Sequence, residues 1–201
     1  MNRFEISGKS PSPNFIGGWI IEPLSICDDM VNFFEARPEA HKAGVTAKGL
    51  NPDVKKCVDM YIEPNDLKGD DHEVFNRYLK ELFSCYKDYL DQWPFLASNM
   101  PNVEIGSVNL QRYLPGDHFQ KVHCERAALK NLHRLFAWMT YLNDVEDCGT
   151  TSFPHYDVEV KPQKGKTLIW PAEWTHAHSG NLVTKGAKYI ITGWMHFPES
   201  Y

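Results

Sequence analysis

After Pro101 the chain becomes a succession of short runs, SVNLQRYL, HRLFAWMTYL, TTSF, VEV, KTLIW and KYIITGW, rich in β-branched and aromatic residues. They are separated by PGD, DVEDCG, PQKG and KG, which carry the Gly, Pro and Asp of tight turns. Short strands separated by turns in this way predict antiparallel β structure. About seven or eight such strands in roughly a hundred residues suit a jelly roll, whose mouth commonly holds a small ligand or a metal.

The first 103 residues read differently. FIGGWIIE is a short apolar strand candidate, and Ser25-x-x-Asp28 looks like a helix start, with Met30, Phe33 and Phe34 on one face. In KCVDMYIE, Val58, Met60 and Ile62 alternate as in a half-buried strand. From about Asp71 to Trp93, Val74, Phe75, Tyr78, Leu79, Leu82, Phe83, Tyr86 and Leu90 recur at helical spacing, which predicts a helix covering the core. No chemistry is assigned to this half. The expected organisation is a single domain over 1–201, with a strand-and-helix extension over 1–103 packed outside a catalytic core over 104–197.

A chain of 201 residues with 42% hydrophobic and 23% charged residues can bury a real interior, and a net charge of −5 offers no basic stripe for nucleic acid. A small molecule or a protein is the expected partner. The five cysteines are scattered without a CxxC pair, which suits a reducing compartment. The N-terminus lacks the apolar core of a signal peptide and no segment is apolar enough to span a bilayer, so no membrane association and a cytoplasmic location are expected.

The chemistry concentrates downstream. In a strand, residues i and i+2 share a face, so His123 and Glu125 would present an imidazole and a carboxylate to one point while Cys124 faces away. A third ligand is available in WPAEWTHAHSG, where strand alternation leaves both His176 and His178 eligible. Two histidines and one carboxylate, with positions left open, make the facial triad of non-heme Fe(II) oxygenases, whereas closed structural zinc sites want a fourth protein ligand.

These residues stand in a wider pattern. The strings HCE, AWMTYLNDVE, IWPAEWTHAHSG and KYIITGW, in order between Gln111 and Trp194, resemble the 2-oxoglutarate- and Fe(II)-dependent dioxygenases of the prolyl 4-hydroxylase type, closest to small phage or marine bacterial members. The resemblance implies a double-stranded β-helix (a cupin-like jelly roll) in a mainly β protein with some α. It implies hydroxylation of a C–H bond, such as that of a prolyl residue in a protein or peptide, with 2-oxoglutarate decarboxylated to succinate and CO2; the alternatives are the same centre acting on a free amino acid or other small molecule, or a non-catalytic cupin-like metal-binding module. Fe(II), 2-oxoglutarate as cosubstrate and O2 would be required.

Residue by residue, His123 and Glu125 match the first ligand pair. His178 matches the distal histidine, because Lys188 follows it by ten positions, and Lys188 matches the cation that pairs with the far carboxylate of 2-oxoglutarate. Tyr141 matches a tyrosine that helps bind that carboxylate, and Tyr113 another near the cosubstrate. Trp194 falls on a packing tryptophan, and an arginine is expected at Arg134 without an assigned role. Two positions depart from the family: His-x-Glu replaces the usual His-x-Asp, and Cys148-Gly149-Thr150-Thr151 replaces GG-x-T. Glu125 also argues against a halogenase, since those relatives lose the carboxylate.

Overall fold

The computed structural model describes residues 1–8, 13–46, 49–69 and 72–198. Along the chain run β1 (Asn2–Phe4), β2 (Gly17–Ile20), α1 (Ser25–Glu35), β3 (Lys42–Ala43), β4 (Val58–Ile62), α2 (Glu73–Gln92) and α3 (Pro94–Asn99). The second half is built of β5 (Glu104–Ile105), β6 (Val108–Tyr113), β7 (Phe119–His123), β8 (Arg134–Tyr141), β9 (Thr151–Phe153), β10 (Val158–Val160), β11 (Lys166–Pro171), β12 (His178–Gly180) and β13 (Lys188–His196). Every strand pair is antiparallel. A large sheet has the order β1-β2-β11-β8-β13-β6-β4-β3, with β5 on β13, and a small sheet the order β10-β9-β12-β7. This is the double-stranded β-helix that the turn-punctuated runs predict.

The large sheet is covered on both faces, which explains why HRLFAWMTYL reads as almost continuously apolar rather than alternating. On β8, Phe136 and Trp138 belong to the core shared with α1 and α2, while Ala137, Met139 and Tyr141 belong to the core inside the barrel. Phe153, Val158 and Val160 of the small sheet close that inner core. Between α2 and the sheet, Tyr78, Thr140 and Thr167 form a buried hydroxyl chain with O···O distances of 2.7 and 2.6 Å. It satisfies three polar groups in an apolar interior where each would otherwise be costly.

The N-terminal elements do more than pack on the outside. β2 pairs with β11 and β4 with β6, so the extension supplies strands on both flanks of the barrel's large sheet. Without them β11 and β6 would present bare edges. Ser25 begins α1 as its first residue, with no side-chain hydrogen bond capping the helix. The long helix runs over Glu73–Gln92; Asp71, its expected start, lies outside the described residues. It ends before Trp93-Pro94, as the restriction on a residue preceding proline requires. Among the described residues no helix is long and apolar enough to cross a membrane.

Candidate metal centre

The centre is assembled where β7 and β12 meet. His123 closes β7, His178 opens β12, and the two are direct partners in the register of the small sheet. The His123 Nδ1–H donates to the Lys121 carbonyl at 2.8 Å, and the His178 Nδ1–H donates to the His176 carbonyl at 2.9 Å. Each bond fixes the tautomer that leaves Nε2 with its lone pair free. Both Nε2 atoms point at Glu125 Oε1, at 3.5 and 3.3 Å. One ligand atom each from His123, Glu125 and His178 therefore lies within 4.8 Å of the others. Two imidazoles and a carboxylate converging from one side fit a divalent transition metal with open positions.

The strand argument for Glu125 needs correcting. β7 ends at His123, and Glu125 lies in a bend beyond it. The carboxylate reaches the histidines because the chain leaves the sheet there and is pinned from both sides: the Arg126 N–H donates to the Ala172 carbonyl at 3.1 Å, and Arg134 Nη1 donates to the Glu125 carbonyl at 3.2 Å. The second carboxylate oxygen is also held. Trp194 Nε1–H donates to Glu125 Oε2 at 2.8 Å, and Arg134 Nη1 lies 3.5 Å from the same atom. The Arg134 guanidinium stacks 3.5 Å from the Trp194 ring centroid. Burial alone would raise the Glu125 pKa; hydrogen bonds and charge from His123 and His178 outweigh it and hold the group well below the usual carboxylate range.

Trp194 and Arg134 thus hold the carboxylate of the candidate ligand Glu125, a contact that the packing reading of Trp194 did not anticipate. A signal was present: Trp194 follows Lys188 by six positions, an even spacing that puts both side chains on the inner face of β13.

His176, eligible by alternation, is turned elsewhere. It ends a 3-10 turn over Trp174–His176, is buried, and has both ring nitrogens engaged. Its Nε2 lies 2.8 Å from the Asn14 carbonyl and its Nδ1 3.0 Å from Thr175 Oγ1. Desolvation lowers its pKa, favouring the neutral ring.

Deeper in the barrel, Lys188 starts β13 and is only 3% exposed. Its ammonium donates to the Gly149 carbonyl at 2.9 Å and sits 4.4 Å from the Tyr113 ring centroid, and among the described residues it has no carboxylate partner. Desolvation brings its pKa down to about 8, against small raising contributions from Cys57 and Cys148. Two glycines lie against it. A Cβ on Gly180 would stand 3.9 Å from Lys188 Nζ, and one on Gly149 would stand 3.2 Å from Lys188 Cδ. Gly149 has φ +65, so the departure from the family pattern at Cys148-Gly149 keeps a glycine where left-handed backbone favours one. A buried cation with no carboxylate partner among the described residues fits an anionic ligand.

Tyr113 lies against Lys188; its hydroxyl donates to Gln111 Oε1 at 2.7 Å, leaving the ring face to the ammonium. Tyr141 also lies inside the barrel, but its hydroxyl is directed to Thr151 Oγ1 at 2.6 Å and to the Val160 carbonyl at 3.3 Å.

Comparison with known proteins agrees with this geometry. Residues 108–196 match the profile of the 2OG-Fe(II) oxygenase superfamily. A probable prolyl 4-hydroxylase 9 of Arabidopsis thaliana is 27% identical over 134 residues, covering 54% of this chain and 46% of that protein, so the chain spans about half the length of that curated relative. The structure of a viral collagen prolyl hydroxylase from Paramecium Bursaria Chlorella virus-1, in complex with 2OG, superposes with a TM-score of 0.66 at 20% identity, covering 92% of this chain and 97% of that one. A prolyl hydroxylase from Trichoplax adhaerens, in complex with a hypoxia inducible factor peptide fragment, gives a TM-score of 0.65 at 16% identity over 90% of this chain and 83% of that one. At these identities the structural likeness speaks to fold, while the profile match speaks to sequence, and the two agree over the segment that carries the triad. Residues 108–196, somewhat under half of the chain, are thus similar in sequence to the 2OG-Fe(II) oxygenase superfamily.

Proposed function

We propose that the protein is a 2-oxoglutarate- and Fe(II)-dependent dioxygenase that hydroxylates a prolyl residue of a protein or peptide. His123 Nε2, His178 Nε2 and Glu125 Oε1 would hold Fe(II), and Lys188 would pair with the far carboxylate of 2-oxoglutarate beside Tyr113. Iron, 2-oxoglutarate and dioxygen together supply insertion of one oxygen atom into a substrate C–H bond, the other oxygen going to succinate as carbon dioxide leaves. The protein's own part is orientation and exclusion of water. Trp194 and Arg134 fix the unligated oxygen of Glu125, so that the other faces the histidines. Phe119 stacks on the His123 ring at 3.9 Å, and Phe153 and Trp170 flank His178, which keeps water from the imidazole faces.

The observation that carries the reading is Lys188, a buried ammonium with no acid beside it among the described residues, in the same barrel as the triad. A metal centre for hydrolysis would leave it unexplained. The substrate reading is supported by the relatives and by Leu129 and Trp174, exposed at 86% and 69% on the two connections that lead to and from the ligands. Exposed large apolar side chains on the ligand-bearing connections suit a peptide better than a small polar molecule.

The test is an anaerobic titration of the Fe(II)-loaded protein with 2-oxoglutarate, following the visible charge-transfer band of the chelate, with Lys188→Ala alongside. A band in the wild type that needs at least tenfold more cosubstrate in the variant is expected. Its absence from folded, iron-loaded protein refutes the reading. Proline-rich peptides are then scored for a one-oxygen mass gain matched to succinate formed; succinate release with free amino acids alone would replace the peptide by a small-molecule substrate.

A further inference from the structure

The inner face of β6 carries a carboxamide that the protein itself engages only by half. Val108 and Leu110 turn to the core under the helices, so the alternating Asn109, Gln111 and Tyr113 turn into the barrel. Gln111 is 6% exposed, and its Oε1 accepts the Tyr113 hydroxyl at 2.7 Å. That bond commits the acceptor end. The donor end, Nε2, donates to none of the described residues and yet is not sealed from solvent. A largely buried amide nitrogen without an acceptor is unfavourable, and it suits an oxygen from outside the chain.

The place of Gln111 relative to Lys188 follows from distances and register. Lys188 is the cross-strand partner of Tyr113, whose ring centroid lies 4.4 Å from the ammonium, and Ile190 is the partner of Gln111. Gln111 therefore stands one two-residue step, about 6–7 Å along the strands, from the Lys188–Tyr113 pair. The step leads toward the triad, because Trp194, further along β13 on the same face, donates to Glu125. An extended 2-oxoglutarate has a similar reach, its carboxylate carbons standing about 5 Å apart across C–C bonds of about 1.5 Å. Other inner-facing polar groups on the way are engaged or of the wrong kind. The Tyr141 hydroxyl goes to Thr151 and the Thr192 hydroxyl to the Trp138 carbonyl, while the buried end of the Asn109 carboxamide is an acceptor, Oδ1.

We propose that Gln111 is a cosubstrate-binding residue whose Nε2 donates to the 2-oxo acid end of 2-oxoglutarate, while Lys188 takes the far carboxylate. The inference rests on the proposed dioxygenase reading. A neutral donor suits that end, because the metal and Lys188 already match the two carboxylate charges.

The test is an anaerobic titration of the whole, Fe(II)-loaded chain with 2-oxoglutarate, following the charge-transfer band, for wild type, Gln111→Met, Lys188→Ala and the double variant. Gln111→Met should weaken 2-oxoglutarate about tenfold or more, with Fe(II) affinity within about threefold of wild type. Because the two residues hold opposite ends of the cosubstrate, their factors should multiply in the double variant. A residue that acted only by orienting Tyr113 against Lys188 would lose its effect once Lys188 is gone. Gln111→Glu gives a second separation: it keeps an acceptor for the Tyr113 hydroxyl but sets an anion where the donor was, and should bind 2-oxoglutarate at least as weakly as Gln111→Met. The inference is overturned by unchanged affinity in Gln111→Met, by a double variant no weaker than Lys188→Ala, or by wild-type affinity in Gln111→Glu. Should Gln111→Met fail to fold, Gln111→Glu, alone and with Lys188→Ala, decides by the same criteria. A wild type that binds iron but not 2-oxoglutarate would refute the dioxygenase reading and this inference with it, whereas a normal wild type with an indifferent Gln111→Met refutes the inference alone.

Discussion

Replacing Lys188 by Met should make the ligand-free protein more stable while abolishing its response to 2-oxoglutarate. Burial brings the Lys188 pKa from 10.5 to about 8, and at about 1.36 kcal/mol per unit this corresponds to about 3 kcal/mol of unfavourable free energy for holding the charge inside. Methionine removes that cost at similar volume, but it strands the Gly149 carbonyl, which now accepts from the ammonium, at a cost of about 1–2 kcal/mol. The net gain is about 1–2 kcal/mol, or about 2–8 °C in Tm for a chain of this size. The pH dependence gives the argument its sign. Below about pH 8 the lysine is charged in both folded and unfolded states and the penalty is complete; between about 8 and 10.5 the unfolded chain binds more protons, so wild-type stability rises with pH and the advantage of the variant shrinks. The assay is thermal unfolding of both proteins across pH 7–10.5, with and without metal and 2-oxoglutarate. A variant no more stable than wild type at pH 7, with a stability difference flat across that range, would refute the account of Lys188 as an unpaired buried cation.

Three further outcomes follow from the site and its supports. His178→Ala should lower Fe(II) affinity by at least about 100-fold, whereas His176→Ala should keep it within a few-fold and instead lose about 1–2 kcal/mol of stability through the stranded Asn14 carbonyl; metal titration and denaturant unfolding separate the two. Trp194→Phe keeps the ring under Arg134 but removes the donor to Glu125 Oε2, and should weaken Fe(II) about 10–100-fold with little change in Tm. Thr140→Val breaks the hydroxyl chain from Tyr78 to Thr167 inside the core and should cost about 1–3 kcal/mol in urea unfolding without altering metal affinity.

Much of the architecture is legible in the amino-acid order because local physics governs it. The turn residues after Tyr113, Asp144, Pro162 and Lys185 punctuate the strands, and the alternation of Val58, Met60 and Ile62 marks β4 correctly. The burial of β8 on both faces accounts for the one run that does not alternate. Less legible was the fate of the first hundred residues: apolar runs such as GGWI show that a strand exists, yet not that it will flank β11, since pairing partners lie far away in sequence. Glu125 illustrates a different limit. The i, i+2 rule named the residue, but the strand ends before it, and the carboxylate reaches the metal position through bonds to Ala172, Arg134 and Trp194.

By itself, then, the sequence determined the mainly antiparallel architecture, the alternation of β4, and the short stretches that hold the candidate ligands, which follow from side-chain periodicity, turn chemistry and the order of the motifs. The resemblance had already chosen His178 over His176 by its spacing to Lys188; only the tertiary structure turned His176 to Asn14, set Trp194 and Arg134 on the Glu125 carboxylate, and left Lys188 buried with no acid among the described residues while giving Lys55 one. Each of those outcomes depends on which distant groups meet, Asn14 with His176, Trp194 with Glu125, Asp59 with Lys55 but not Lys188, and such meetings are set by strand order and packing, which no local pattern encodes.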